Sequence, residues 1–200
     1  LIKSFSNTEL ESILDELYLD DTVDIIEEMP SNVVKRILKY SDPDTRKEIN
    51  KILQYPEDSA GSIMTTEFIK LRQSNTVEQA FDIIRKNGDE AETINVCYVT
   101  DEGCHLQGYV TIRTLVLEKD TSTKIADIMD TQIISVSTRD DKEDVAQDMS
   151  KYDFDAMPVV DSENRIVGIV TFDDAIDVME EEATEDIEKM AAITPMDKPY

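Results

Sequence analysis

The chain has 200 residues, 40% apolar and 32% charged, enough Ile, Val and Leu to core one large domain or two small ones. Its 45 acidic residues against 20 basic ones give a net charge of −25, which repels nucleic acid and anionic lipid headgroups and attracts cations. Five glycines and no tryptophan disfavour a Gly-rich all-β fold or a glycine-cradled phosphate site.

The chain opens Leu1-Ile2-Lys3-Ser4, with no Met and no apolar leader, and so reads as a piece of a longer protein. Up to residue 54 the pattern is a series of short helices. Asn7 or Thr8 caps a helix bearing Leu10, Ile13, Leu14 and Leu17 on one face. Asp20 or Asp21 caps the next, with Val23, Ile25 and Ile26. Pro30-Ser31-Asn32 restarts the chain before Val33, Val34, Ile37 and Leu38; Ser41-Asp42-Pro43-Asp44 does so before Ile49, Ile52 and Leu53. Helices of two or three turns are unstable alone and must stack, as in an α-solenoid.

Beyond residue 60 an internal repeat appears. Ile63-Met64-Thr65 recurs as Ile128-Met129-Asp130. Each is followed by a strand (Phe68 to Leu71; Ile133 to Val136) and a helix (Val77 to Arg85; Glu143 to Lys151). Two strands joined by a turn come next: Asn95 to Thr100 and Leu106 to Thr111 in copy one, Met157 to Val160 and Ile166 to Thr171 in copy two. A last helix starts at Leu115 and at Asp174. One β-α-β-β-α copy has little core of its own, so the two should pack face to face. The apolar run Met157 to Val160 predicts a central, buried strand. Cys97, Cys104 and His105 are too few for zinc, so His105 is read as a turn residue, and two thiols without a disulfide framework suit a reducing cytosol. No apolar run approaches the roughly 18 to 20 residues of a membrane span.

Copy two, with Asp155-Ala156-Met157-Pro158-Val159-Val160-Asp161 and Gly168-Ile169-Val170-Thr171-Phe172-Asp173-Asp174, resembles the signature of cystathionine-β-synthase-type (CBS) domains. The junction Tyr55-Pro56-Glu57-Asp58-Ser59-Ala60-Gly61-Ser62-Ile63-Met64-Thr65 resembles the join between the helical N domain and the first CBS domain in the MgtE family of magnesium transporters. Leu17 to Pro30 and Glu182 to Ile187 resemble two further family motifs, in the right order. The resemblance implies an α+β fold: a superhelical N domain of short helices (1–54), a linker (55–62), a tandem CBS pair (63–123 and 124–179) and the start of a connecting helix (180–200). A membrane domain would follow. It also implies a parent protein in the cell membrane with this stretch on the cytoplasmic side, a homodimer through the CBS domains, and contact with its own transmembrane domain, but no nucleic-acid partner.

The acids gather where such a helix would run. Asp174, Asp177, Glu181, Glu185 and Glu188 fall on one helical face; Ile176, Met179, Ala183, Ile187 and Met190 fall on another, which can pack. A solvated face is the bland alternative, since like charges at i, i+4 destabilise a helix by only a few tenths of a kcal/mol per pair. Oxygen-only donors suit a hard cation, and no EF-hand loop is present. The resemblance places Mg2+-linked acids on Asp20 and Asp24 in the N domain, on Glu143, Asp153, Asp174 and Asp177 in the second CBS domain, and on Glu182, Glu185 and Asp186 in the connecting helix. For Asp20 and Asp24, helix capping is the competing reading. Carboxylates about 4 Å apart repel by about 4 kcal/mol at an effective dielectric of 20. Mg2+ between them reverses the sign, which would favour a compact, closed state.

A CBS regulator of adenine nucleotides, ATP among them, is the alternative. CBS pairs often hold the ribose with an Asp after a Ser/Thr-x-x step. Copy two keeps it in Thr171-Phe172-Asp173-Asp174, whereas copy one has Thr111-Ile112-Arg113-Thr114. Arg113, Phe154 and Asp173 are the candidate nucleotide residues. Neither a nucleophile–base set nor a P-loop is present, and no enzyme activity is expected.

Overall fold

The computed structural model describes residues 22, 23, 26, 31–41 and 43–193. Helices α1 (Ser31–Tyr40) and α2 (Pro43–Ile52) start where the breaks in the sequence put them, α2 with a proline in its first turn, where its missing N–H is harmless. Arg46 of α2 donates through Nη2 to the carbonyls of Lys39 (3.2 Å) and Ser41 (2.9 Å), closing the end of α1. Val23, Ile26, Val33, Ile37, Ile49 and Ile52 form their shared core.

Copy one runs β1 (Phe68–Arg72), α3 (Val77–Asn87), β2 (Thr93–Thr100), β3 (Leu106–Thr111) and α4 (Ile112–Leu117). Thr76 and Gln79 form a reciprocal capping box that fixes the start of α3. A single turn, α5 (Ile125–Ile128), leads into copy two: β4 (Val136–Ser137), α6 (Lys142–Tyr152), β5 (Ala156–Val160), β6 (Ile166–Thr171) and α7 (Phe172–Ile193). Each copy has a three-stranded sheet, ordered β1-β2-β3 and β4-β5-β6, with the first pair parallel and the second antiparallel. All five residues of β5 are buried, as expected of a central strand.

The leading segment of each copy packs on the other copy's sheet. Ala60 and Met64 are fully buried among Val136, Val145, Met149, Met157 and Val170. The N–H groups of Ala60 and Gly61 donate to the carbonyls of Asp140 (2.8 Å) and Thr138 (3.1 Å), and Thr65 pairs with Ile169. Reciprocally, Ile125 is fully buried in the first core with Ile128 and Met129 against it, and Asp130 exchanges two 2.9 Å bonds with Tyr109. The hairpin tips also interlock: the Leu106 N–H donates to Asn164 (3.0 Å) and the Ile166 N–H to Cys104 (3.1 Å). Cys104 and Asn164 both turn through the left-handed region, at φ 66° and 60°. Partial desolvation opposes ionisation of Asp101, but bonds from His105 and Gly103 outweigh it and hold its carboxyl below the usual range. Arg165 and Glu163 act likewise on Asp161. A fourth cluster, Phe68, Tyr98, Leu106, Ala156, Val160, Ile166 and Ile169, joins the copies face to face.

Four local expectations change. The strand expected at Ile133 to Val136 shrinks to Val136–Ser137, because the residues before it leave the sheet edge and Gln132, Ile133 and Ile134 line a cleft instead. The last helix of copy one starts at Ile112, not Leu115, where the Thr111 hydroxyl accepts the N–H of Thr114 (3.1 Å). The last helix of copy two starts at Phe172, not Asp174. Finally, the apolar stripe of that helix stays largely open among the described residues: Ile176, Met179 and Ile187 are 39–63% exposed. The helix instead buries Ala175 and Val178 on the second core.

A Cβ at Gly108 would lie 2.3 Å from the Asp130 carbonyl, in the backbone crossover itself. Gly108→Ala is expected to destabilise the chain by about 1–3 kcal/mol, read by urea unfolding. Gly103→Ala, where the nearest atoms belong to the His105 side chain, should cost less.

Candidate functional site

Two features stand out: carboxylates along α6 and α7, and a cleft between the copies.

Near the start of α6, Glu143 meets Glu182 from α7. Hydrogen-bond contact with the Glu182 carboxylate raises the Glu143 carboxyl above its ordinary range, with desolvation and Asp141 adding to it. On the same helix, the Asp177, Glu180, Glu181, Thr184 and Glu185 side chains line an open groove. Lys142 reaches Glu181 at 3.8 Å, and Lys189 pairs with Glu185 at 2.7 Å, lowering the Glu185 carboxyl. At the start of α7 the Thr171 hydroxyl touches Asp173 Oδ1 (2.6 Å) and Asp174 Oδ2 (2.5 Å). A hydroxyl has one proton to donate, so it serves one of these carboxylates at a time.

The expected metal set is thus partly assembled. Glu143 and Glu182 come together, and Asp177 and Glu185 share the groove. Asp174 sits at the head of the same helix. Asp186 is exposed farther along it. Asp153 lies at the opposite end of α6, as its left-handed C-cap (φ 55°). Asp20 and Asp24 lie outside the described residues. Among the described residues no three His, Cys, Asp or Glu side chains converge on one point that would hold a metal ion. The donors are all oxygens, which fits a hard, mostly hydrated cation held by one or two carboxylates at a time.

The cleft, of about 210 Å³, is lined by Val96, Tyr98 and Tyr109 of copy one, Gln132 to Ile134, and Asp153 to Pro158 of copy two. Tyr98 is only 1% exposed, and among the described residues its hydroxyl has no partner. Burial pushes that phenol well above its ordinary range, so it stays protonated and can donate. Phe154 also lines the cleft, its ring centroid 5.8 Å from that of Tyr152 and the two planes tilted by 38°. A second, more open basin of about 570 Å³ continues from Tyr109 and Gln132 along Thr111, Thr114, Asp130 and Thr131. Of the expected nucleotide residues, Phe154 lines the cleft. Arg113 is exposed on α4 next to Thr114, and Asp173 is bonded to Thr171; neither lines the cleft or the basin. Tyr98 was not among the expected residues. Within an apolar strand it reads as core, and only the unpaired hydroxyl marks it.

Glu143→Gln removes the like-charge contact with Glu182. The raised carboxyl means that the folded state holds this proton more tightly than the unfolded one, a stabilisation present at low pH and lost as pH rises through the raised value. In chelator at neutral pH the variant should therefore melt higher than wild type, and the difference should vanish as pH falls below the ordinary glutamate range. Thermal unfolding across pH checks this.

Comparison with known proteins matches both halves of the chain. The MgtE intracellular N domain family matches residues 1–58, and the CBS domain family matches 60–119 and 125–181. The magnesium transporter MgtE of Thermus thermophilus is 41% identical over 91% of this chain, and that of Enterococcus faecalis 44% over 73%. The chain spans 41% and 32% of their lengths. Among solved structures, the soluble part of a magnesium transporter superposes with a TM-score of 0.86 at 38% identity, covering 91% of this chain and 71% of that one. The cytosolic domain of the Mg2+ channel MgtE in complex with ATP superposes at 0.80 and 38%, covering 88% and 77%. With its helical N-terminal part, its crossed pair of β-α-β-β-α copies and its acidic last helix, the chain belongs to the MgtE magnesium transporter family.

Proposed function

We propose that this chain is the Mg2+-responsive regulatory part of a magnesium channel or transporter, facing the cytoplasm and joined to a membrane domain. The observation that carries this reading is the contact between the Glu143 and Glu182 carboxylates, backed by an acidic groove on α7. Like charges held together cost free energy that a divalent cation offsets. With too few donors at any one point to complete a shell, the ion would be shared between elements that move relative to one another. Such an ion favours the arrangement in which the carboxylates are close, by no more than its difference in affinity between the two states. The division into an N domain (1–54), a linker (55–62), two CBS domains (63–123 and 124–179) and a connecting helix (180–200) belongs to this reading. So does a homodimer, in which a second copy covers the exposed side chains of Ile176, Met179 and Ile187. Among the described residues no helix is long and apolar enough to cross a membrane.

The test is small-angle scattering with limited proteolysis across a Mg2+ titration, ionic strength matched with Na+. The chain should compact and gain protection near residues 54–62 and 178–190 with Mg2+ and not with Na+. The triple variant Asp174→Asn, Asp177→Asn, Glu182→Gln should need several-fold more Mg2+ for the same change. An identical profile at all Mg2+ concentrations would reduce the acidic face to a solvated surface.

A second reading, compatible with the first, is favoured by Tyr98. A buried donor without a partner at the wall of a mostly apolar cleft suits a planar heteroaromatic ring. The structural relative solved with ATP points to an adenine nucleotide, with the ring between Tyr98 and Phe154. By calorimetric titration, Tyr98→Phe should weaken ATP about fivefold, the worth of one net hydrogen bond, and Phe154→Ala should weaken it further. An unchanged Kd in both variants would sink the reading.

A further inference from the structure

The stretch between α2 and the first copy is bonded along its length. The N–H groups of Leu53, Gln54 and Tyr55 still donate to carbonyls of α2, at 3.0, 3.2 and 2.9 Å. Tyr55 then packs against the second core. The Ser59 hydroxyl donates to the Pro56 carbonyl (2.7 Å), and the Ser62 hydroxyl to that of Glu57 (2.7 Å) or Ser59 (2.8 Å), which closes residues 56–62 into a turn.

Residues 58–61 are strapped to the start of α6. Ala60 and Gly61 donate to Asp140 and Thr138, and the Asp58 carbonyl accepts the Lys142 N–H at 3.1 Å. That N–H lies in the first turn of α6, where the helix itself supplies no acceptor. Copy one has the same arrangement: the Thr123 carbonyl accepts the Val77 N–H (3.0 Å) at the start of α3, while Ile125 and Ala126 donate to Asn75 (2.9 Å) and Gln73 (3.1 Å). There the strap is the stretch that joins the copies. In copy two it is the stretch that joins the N-terminal helices to the repeat.

Lys142 is where the strap meets the acidic helix. Its N–H holds Asp58, and its side chain reaches Glu181 of α7 at 3.8 Å. The next residue, Glu143, donates its N–H to Asp141 Oδ1 (2.9 Å) and meets Glu182 through its side chain. A displacement of α7 at Glu182 therefore acts on the same helical turn that holds the strap.

We propose that residues 58–61 relay the state of the Glu143–Glu182 contact to α1 and α2. The inference rests on the Mg2+ reading of that contact. With a divalent cation between the carboxylates, the first turn of α6 and the strap bonds hold together and fix the N-terminal helices against the repeat. Without it, like-charge repulsion loosens that turn and the strap with it, and the bonded turn from α2 to Tyr55 carries the motion to the N-terminal helices. A Cβ at Gly61 would lie 2.6 Å from the Tyr55 ring and 2.8 Å from the Thr138 carbonyl, so Gly61→Ala forces the strap off copy two without touching an acidic residue.

The test is hydrogen exchange read by mass spectrometry, with small-angle scattering on the same samples, across a Mg2+ titration at matched ionic strength, for the wild-type chain and Gly61→Ala. In wild type, exchange over 58–61 and over 138–143 should slow at one shared Mg2+ midpoint, which is also that of compaction. In Gly61→Ala, Mg2+ should still slow exchange over 138–143 and 178–190, while 58–61 stays fast and compaction needs about fivefold more Mg2+, the worth of one lost hydrogen bond. A folded Gly61→Ala that compacts at the wild-type midpoint overturns the inference and leaves the Mg2+ reading standing. Wild-type exchange over 58–61 that is equally slow with and without Mg2+ does the same. A wild-type chain with no Mg2+ response anywhere overturns the Mg2+ reading and this inference with it. If Gly61→Ala does not fold, the wild-type midpoints over 58–61 and 138–143 decide: a shared value supports the relay, and separate values overturn it.

Discussion

Each copy of the repeat closes the other's core, and the architecture depends on that exchange. Met64 and Ala60 complete the second core, while Ile125, Ile128 and Met129 complete the first. Burying a side chain such as Met64 or Ile125 is worth about 1.5–3 kcal/mol, and separating the copies would forfeit several such burials at once. It would also leave the crossover bonds of Thr65 with Ile169 and of Asp130 with Tyr109 without partners. Neither copy is therefore a folding unit alone. The cleft exists for the same reason: its walls come from β2 and β3 on one side and β5 on the other, held apart by the segments that cross between them.

The acidic excess acts within this rigid frame. Asp101 and Asp161 illustrate acids that the fold uses, each held ionised by bonds inside its own hairpin tip. Glu143 is the opposite case: its neighbour Glu182 raises its carboxyl, and the charge of Lys189 only partly offsets the contact. Lys142 turns to Glu181, beside the crowded pair, and Lys189 to Glu185, about one turn farther along α7. The fold thus leaves its unfavourable electrostatics where α7 leaves the body of the domain, the place where an external cation has most effect on the position of that helix.

Much of this was legible in the sequence. The starts of α1, α2 and α3, the central position of β5 and the repeat itself follow from capping residues, proline and apolar periodicity, which act locally. Other features depend on tertiary context. Ile133 and Ile134 have the composition of a strand, but the edge they would extend is given up to form the cleft. The stripe of Ile176, Met179, Ile187 and Met190 has the period of a packed face, yet the helix rolls so that Ala175 and Val178 do the packing. Small residues win there because they let α7 approach the second core closely. Tyr98 sits in the register of a buried strand, and nothing in its neighbours reveals that its buried hydroxyl is left without a partner among the described residues.

Helix α6 connects the two candidate sites. Glu143 lies in its first turn, against α7. Asp153 caps its other end, and Phe154 follows directly into the cleft wall. An α-helix of 11 residues is about 16 Å long and behaves as a rigid rod on that scale. Its middle is pinned by Val145, Ala146 and Met149 in the second core, so it cannot shift at one end without repacking that core. Under the proposed function, a cation acting at Glu143 and a ring stacked on Phe154 therefore act on one element. Each would bias it only through its own difference in affinity between two arrangements. The left-handed turn at Asp153 is the short joint between rod and cleft, and its φ of 55° ends the helix so that Phe154 joins the cleft lining.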